Sequence, residues 1–180
     1  MSNYMRIAVM LAVVWLTTQT QSAFADDVVA ADANAALNKL YASEPLAKMI
    51  SEKAAAILVF PNIVRAGFIV GGHYGEGVLM RGGKIVAHYN SVAGSFGLQA
   101  GVQSFGYVLF LTSDKVIQYL DSSDGWELGV GPTIVIVDKG MAKSMTTTTL
   151  KDDVYAFIFD QKGLMAGLGL QGSKITKLEK

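Results

Sequence analysis

The sequence contains no cysteine. This absence excludes disulfide bonds, thiolate metal sites, a cysteine nucleophile and an acylated lipoprotein N-terminus. Proline is also rare, with 3 residues against 19 glycines, and the glycines stand inside apolar segments rather than in linkers. That distribution favours closely packed strands over disordered segments.

A charge excess of either sign is lacking as well. The chain has 15 basic and 15 acidic residues, and they are scattered singly along it. A nucleic-acid-binding surface needs clustered Lys and Arg, so nucleic acid is not an expected partner. Beyond the N-terminal segment no apolar run approaches the roughly 20 residues that a membrane-spanning helix needs. We therefore expect no transmembrane helix in the mature chain.

The N-terminus has the three parts of a secretory signal peptide. Arg6 supplies the positive charge, residues 7–16 form an apolar run of ten, and Ala23-Phe24-Ala25 is a small-x-small cleavage site. We expect residues 1–25 to be removed and residues 26–180 to form one domain, exported to the periplasm or secreted. The alternative is an uncleaved N-terminal anchor.

Two helices are predicted to follow. Apolar residues recur at intervals of three and four over residues 27–41, and again over residues 46–54 after Pro45. The simplest interpretation is a helical layer over a sheet. The alternative is an amphipathic surface that meets a membrane, where Lys39, Lys48 and Lys53 would attract anionic head groups.

The most regular pattern in the chain is the segment 91–106, SVAGSFGLQAGVQSFG, which alternates with a period of two. Small and amide residues fall on one side and apolar residues on the other, with Val102 on the apolar side and Gln103 on the polar side. We expect a core strand with its apolar face buried. Its glycine-lined face would let another backbone, a helix or a ligand approach closely.

Further strands are predicted from apolar and β-branched runs. They cover residues 57–60, 63–70, 78–80, 84–90, 107–111, 133–137, 154–159, 164–170 and 173–178, with a short helix over residues 113–120. Pro61-Asn62 predicts a turn, residues 71–77 a bend, and Arg81-Gly82-Gly83 a hairpin turn. Residues 141–153 are consistent with an edge strand and a loop. The predicted fold class is α+β, with antiparallel-rich twisted sheets, sandwich-like or barrel-like, covered by N-terminal helices.

Motifs for catalysis or cofactor binding are incomplete. The glycines at 77 and 82 have the spacing of a phosphate-binding loop, but Gly83 stands where its lysine should be. Ser95 lacks the glycine and the helix of a nucleophile elbow. His73 and His88 are the candidates for a general base at neutral pH. We expect no enzyme activity, no cofactor and no metal site, and a hydrolase built from His73, His88 and Glu76 is the remaining alternative.

Several of these blocks, taken together and in order, resemble the SYLF family of lipid-binding domains. The blocks are residues 57–61 (ILVFP), 71–77 (GGHYGEG), 95–103 (SFGLQAGVQ) and 162–164 (KGL) with Gly167, and the resemblance runs from about residue 39 to 175. It implies one globular domain without known catalytic activity. Eukaryotic relatives bind phosphoinositides and some bind actin, whereas bacterial relatives with signal peptides are exported.

The resemblance leads us to expect a lipid-binding domain that contacts anionic phospholipid head groups. The cations chosen for this contact, by charge and expected exposure, are Lys48, Lys53, Arg65, Arg81 and Lys84. An exported protein would not meet cytoplasmic actin, so actin is not an expected partner. The alternative from another class is a structural module of the cell envelope whose glycine-lined sheet face packs against a protein.

Overall fold

The computed structural model describes residues 27–122, 124–138, 145, 150–163, 170 and 172–179. At residues 68, 69, 95–100 and 163 it describes the backbone and not the side chains. The predicted signal peptide lies outside the described residues. So do nearly all of the predicted strand 164–170 and most of the segment 141–153.

Three helices and six strands make up the described chain. They are α1 (residues 27–43), α2 (Pro45–Ser51), β1 (Ala56–Arg81), β2 (Lys84–Leu111), α3 (Asp114–Ser122), β3 (Trp126–Glu127), β4 (Ile134–Ile136), β5 (Val154–Gly163) and β6 (Lys174–Lys177). The predicted helices and the central strand are confirmed.

All six strands belong to one sheet, and β2 is its centre. β1 pairs antiparallel with β2 over almost the whole of both strands, while β5 and β6 pair antiparallel with other parts of β2. β3 pairs with β6, and the short β4 runs parallel to β5. The predicted α+β class is therefore confirmed, as an antiparallel-rich sheet curled into a half-barrel with α1 and α2 on its outside.

β1 is one strand of 26 residues where several shorter ones were predicted. The turn predicted at Pro61-Asn62 is instead a bulge, because Phe60 and Ile63 on either side of it both pair with β2. The bend predicted over residues 71–77 is continuous strand, since each residue keeps its partner on β2.

The long hairpin bends sharply near its middle. Phe68 pairs with Ala100 but Val70 pairs with Phe96, so one β1 residue faces three β2 residues at this point. A Cβ added at Gly67 would lie 2.6 Å from the Cα of Gly71, which shows how closely the bent backbone approaches itself. We call this bend the corner.

Two glycines let the first part of β1 cross its own later part. A Cβ at Gly77 would lie 2.4 Å from the carbonyl oxygen of Val59, and one at Gly75 would lie 2.6 Å from that of Asn62. Residues without a Cβ are required at both positions. The glycine-lined face of β1 is thus occupied by the chain itself.

The sheet separates two apolar cores. The interior of the curl contains Leu58, Phe60 and Ile63 of β1 with Phe105, Tyr107 and Leu109 of β2, and α3 adds to this cluster. The exterior core lies under α1 and α2. Its members include Leu37, Leu40, Leu46, Ala47, Ile50, Val59, Val78, Met80, Val108, Phe110, Tyr155 and Phe157.

The predicted orientation of the 91–106 strand is wrong where side chains are described next to the corner. Val102, expected in the core, is 66% exposed, and Gln103, from the polar face, is 2% exposed. The reason is the direction of alternation in β2. Phe105 lies in the interior core, so Gln103, two residues earlier, points to the same interior face and Val102 points outward.

Candidate functional site

The hairpin tip brings two of the predicted cations together. Arg81 and Lys84 pair directly across the turn, and both intervening glycines, Gly82 and Gly83, have positive φ. Two-residue turns of this kind favour glycine because their central residues need left-handed conformations. Both cationic side chains are exposed to solvent.

Helix α2 and the residues just after it carry two more of the predicted cations. Its inner residues, Leu46, Ala47 and Ile50, belong to the same exterior core as Val78 and Met80, just before the tip. Lys48 and Lys53 are exposed on and just after this helix. We call the set Lys48, Lys53, Arg81 and Lys84 the tip surface.

Arg81, a member of the tip surface, forms an ion pair with helix α3. Arg81 Nη2 donates to Asp114 Oδ1 at 2.5 Å, and both side chains are more than half exposed. Such a surface ion pair is weak, and a guanidinium has five N–H donors, so one carboxylate does not saturate it. Arg81 therefore keeps donors for a phosphate.

Arg65, the fifth predicted cation, lies elsewhere. It pairs with Gln103 in the half of the hairpin that contains the corner, which we call the corner half. Its side chain is half-buried on the interior face, near His73. The structure thus pairs Arg81 with Lys84 at the hairpin turn and places Arg65 in a different part of the hairpin.

A polar cluster surrounds Arg65 in the interior. His73 is buried, and its Nε2 lies 3.3 Å from Ser91 Oγ, with the ring edge-on to Phe105. Burial, and secondarily the charge of Arg65, lowers the pKa of His73 to about 4, so the imidazole is neutral at neutral pH. Gln103 Oε1 is buried without a hydrogen-bond partner among the described residues.

The side chains of the alternative hydrolase do not converge. His73 faces the interior, whereas Glu76 lies on the exterior face and accepts a hydrogen bond of 2.7 Å from the Tyr74 hydroxyl. His88 pairs with Val78, which also belongs to the exterior side. Acid–base partners need hydrogen-bond reach, and the sheet lies between His73 and the other two.

A groove that the sequence did not predict lies between α1 and the end of β5. Its volume is about 530 Å³, with Leu40, Val137 and Phe157 among its apolar lining. Its polar lining includes Lys39, which is bonded to Asp160, together with Glu44 and Asp138. Three carboxylates against one ammonium do not suit an anionic head group. Lys39 and Asp160 are 121 residues apart, and no local pattern relates them.

A helix that crosses a bilayer needs about 20 mostly apolar residues. Within residues 27–122 and the later described segments, no helix is both long and apolar enough to span a membrane.

Comparison with known proteins gives one result for the C-terminal half of the chain. Residues 92–180 match the family model Ysc84, described as Las17-binding protein actin regulator. The match covers most of β2 and every described element after it, and so includes β5 and β6 but not β1 among the strands that pair with β2. A search of curated proteins found no match to the chain.

Proposed function

We propose that the protein is an exported, non-enzymatic lipid-binding domain of the SYLF type, and the match of residues 92–180 to the Ysc84 family model supports this proposal. Its ligand class is the anionic phospholipid head group, met at the surface of a membrane by the tip surface. The signal-peptide pattern supports export, and an exported domain has no access to cytoplasmic actin.

The observation that carries this proposal is the pair of exposed cations Arg81 and Lys84 across the hairpin turn, together with the exposed Lys48 and Lys53 on and just after α2. Each Lys or Arg near an anionic bilayer surface contributes about 1 kcal/mol to binding. Four cations are then enough for reversible membrane attachment, and the attachment weakens with salt because exposed charges are screened.

Vesicle flotation tests the proposal. The probe is the processed protein, recovered from cells that express the full chain, with vesicles of phosphatidylcholine alone or mixed with phosphatidylglycerol. Wild type should float with the anionic vesicles at low salt. The double variant Lys48→Glu, Lys84→Glu should bind them at least roughly tenfold more weakly, since two attractive charges become repulsive.

The matched control changes net charge by the same amount away from the tip surface. Lys151 is exposed, and Lys151→Glu, compared with Lys84→Glu alone, should leave binding within about twofold of wild type. Equal losses in these two single variants would show that net charge alone matters and would remove the tip surface as the site. Absence of wild-type binding to anionic vesicles would refute the proposed function.

A further inference from the structure

The corner half of the hairpin has the reverse polarity of the rest of the sheet. Its exterior face carries exposed apolar side chains, with Val70 at 62% and Val102 at 66% exposure. Its interior face carries Arg65, His73 and Gln103 instead. Near the helices the arrangement is ordinary, because the apolar exterior residues of β1, such as Val78, are buried under α1 and α2.

The exposed apolar residues form one surface. In an antiparallel pair, residues directly opposite each other point to the same face. Tyr74 pairs with Val92, and Ala66, between Val64 and the corner, pairs with Val102. We call Val64, Val70, Tyr74, Val92 and Val102 the corner surface, and all five side chains are more than 40% exposed.

No charge interrupts this part of the chain. Residues 66–72 and 91–102 contain no Asp, Glu, Lys or Arg. Along the sequence the nearest cation, Arg65, lies on the opposite face of the sheet, whereas across the strands Lys174 pairs with Val92 and Lys162 pairs with Ser104, the partner of Val64. The nearest exterior acid, Glu76, follows Tyr74, whose hydroxyl donates to it. Polarity therefore rises in order from the apolar corner, through an amphipathic tyrosine, to a carboxylate.

We infer that the corner surface inserts into the acyl-chain boundary of a lipid bilayer. This inference rests on the proposed function and adds a second, uncharged contact to it. A protein partner of ordinary composition would meet polar groups at the rim of its contact, and among the five side chains of the corner surface the Tyr74 hydroxyl is the only polar group. Lipid acyl chains require no polar groups from the surface they meet, and a tyrosine at the edge suits the interface between the bilayer and water.

The placement of α2 agrees with this orientation. α2 packs on the exterior side of the same hairpin, so Lys48 and Lys53 lie on the side of the sheet that carries the corner surface. The two proposed contacts share no residue.

The choice of lipid and of salt concentration distinguishes the apolar contact of the corner surface from the charged contact of the tip surface. Flotation of the processed protein uses vesicles of uncharged phosphatidylcholine at high salt, where the tip surface contributes little. Wild type should still bind. Val70→Asp and Val102→Asp should each weaken binding about tenfold or more. Each change removes a valine that would be buried in the bilayer and adds a charge in its place. Val130→Asp, at an equally exposed valine in the β3–β4 connection, should leave binding unchanged.

Thermal unfolding by circular dichroism shows whether the variants fold, and exposed valines should tolerate the change. Corner variants that fold and bind like wild type overturn the inference while leaving the head-group proposal intact. A wild type that binds only anionic vesicles also overturns it. A concentration-dependent dimer that Val70→Asp dissociates, without any change in flotation, would assign the corner surface to a second copy of the chain and would likewise overturn it.

Discussion

At the residue scale, His73 is a buried and neutral imidazole on the interior face of the corner half. The imidazole is buried, it lies beside Ser91, and the guanidinium of Arg65 is close enough to disfavour a second positive charge. The residue therefore acts as a neutral polar group that fills the interior, and the proposed lipid contacts use the other face of the sheet.

His73 should make stability depend on pH. Its folded pKa of about 4 lies below the ordinary value of 6.5, so between these values the unfolded chain binds a proton that the folded chain does not. Stability is then full above about pH 6.5 and falls with decreasing pH, by up to about 3 kcal/mol near the folded pKa. Urea unfolding of wild type and His73→Gln across this range measures the difference.

The variant should lose most of that pH dependence, leaving only the part due to carboxylates. His88→Gln is the control for removal of an imidazole as such. If His73→Gln and wild type lose the same stability over this interval, the neutral, buried state of His73 is disproved.

At the scale of elements, the β1–β2 hairpin determines the architecture. Its length would carry the chain far beyond one domain, and the corner and the crossing at Gly75 and Gly77 fold it back on itself. The interior and exterior cores are both consequences of that folding, since each combines residues from near the two ends of β1.

Gly77→Ala should destabilise the protein by about 1–3 kcal/mol, because the new methyl group would overlap the Val59 carbonyl and the Phe60 ring. Gly94→Ala is the matched control. Nothing lies within 4 Å of a Cβ at Gly94, so this change should stay within about 1 kcal/mol of wild type.

Chemical denaturation monitored by tryptophan fluorescence gives both values, since Trp126 is buried in the interior core. Equal stability of the two alanine variants would contradict the crossing of β1 over itself.

Local patterns predicted much of this hairpin. The turn at Arg81-Gly82-Gly83 follows from glycines that can adopt positive φ, and the alternation in β2 correctly predicted a strand. The outward direction of Val102 could not be predicted, because alternation separates two faces without saying which one is buried. The bulge at Pro61-Asn62 was also hidden, since a turn and a bulge use the same residues.

The candidate site, like the hairpin, could be predicted from the sequence only in part. Charge and expected exposure selected the five cations, but only the fold shows that Arg81 and Lys84 pair across a turn and that Arg65 pairs with Gln103 elsewhere in the hairpin. The corner surface depends on the path of the bent hairpin, and the Lys39–Asp160 groove depends on packing between distant segments. Long-range placement of this kind leaves no local signal.

At the scale of the whole molecule, the chain presents charged and apolar contacts on a neutral body. The proposed role requires that it reach a membrane from the exported side. Intact mass of the protein recovered from expressing cells should correspond to a chain that starts at Asp26, after removal of the leader. Recovery of a full-length chain from the cytoplasm would contradict export.

The orientation on the bilayer is the central claim, and fluorescence quenching by lipids brominated in their acyl chains tests it most directly. Val70→Trp places an indole on the corner surface, and Val130→Trp places one at the distant control position, each over the same background from buried Trp126. The account predicts strong additional quenching for Val70→Trp and none for Val130→Trp. Equal quenching of the two, or none in either while the protein is bound, would contradict it.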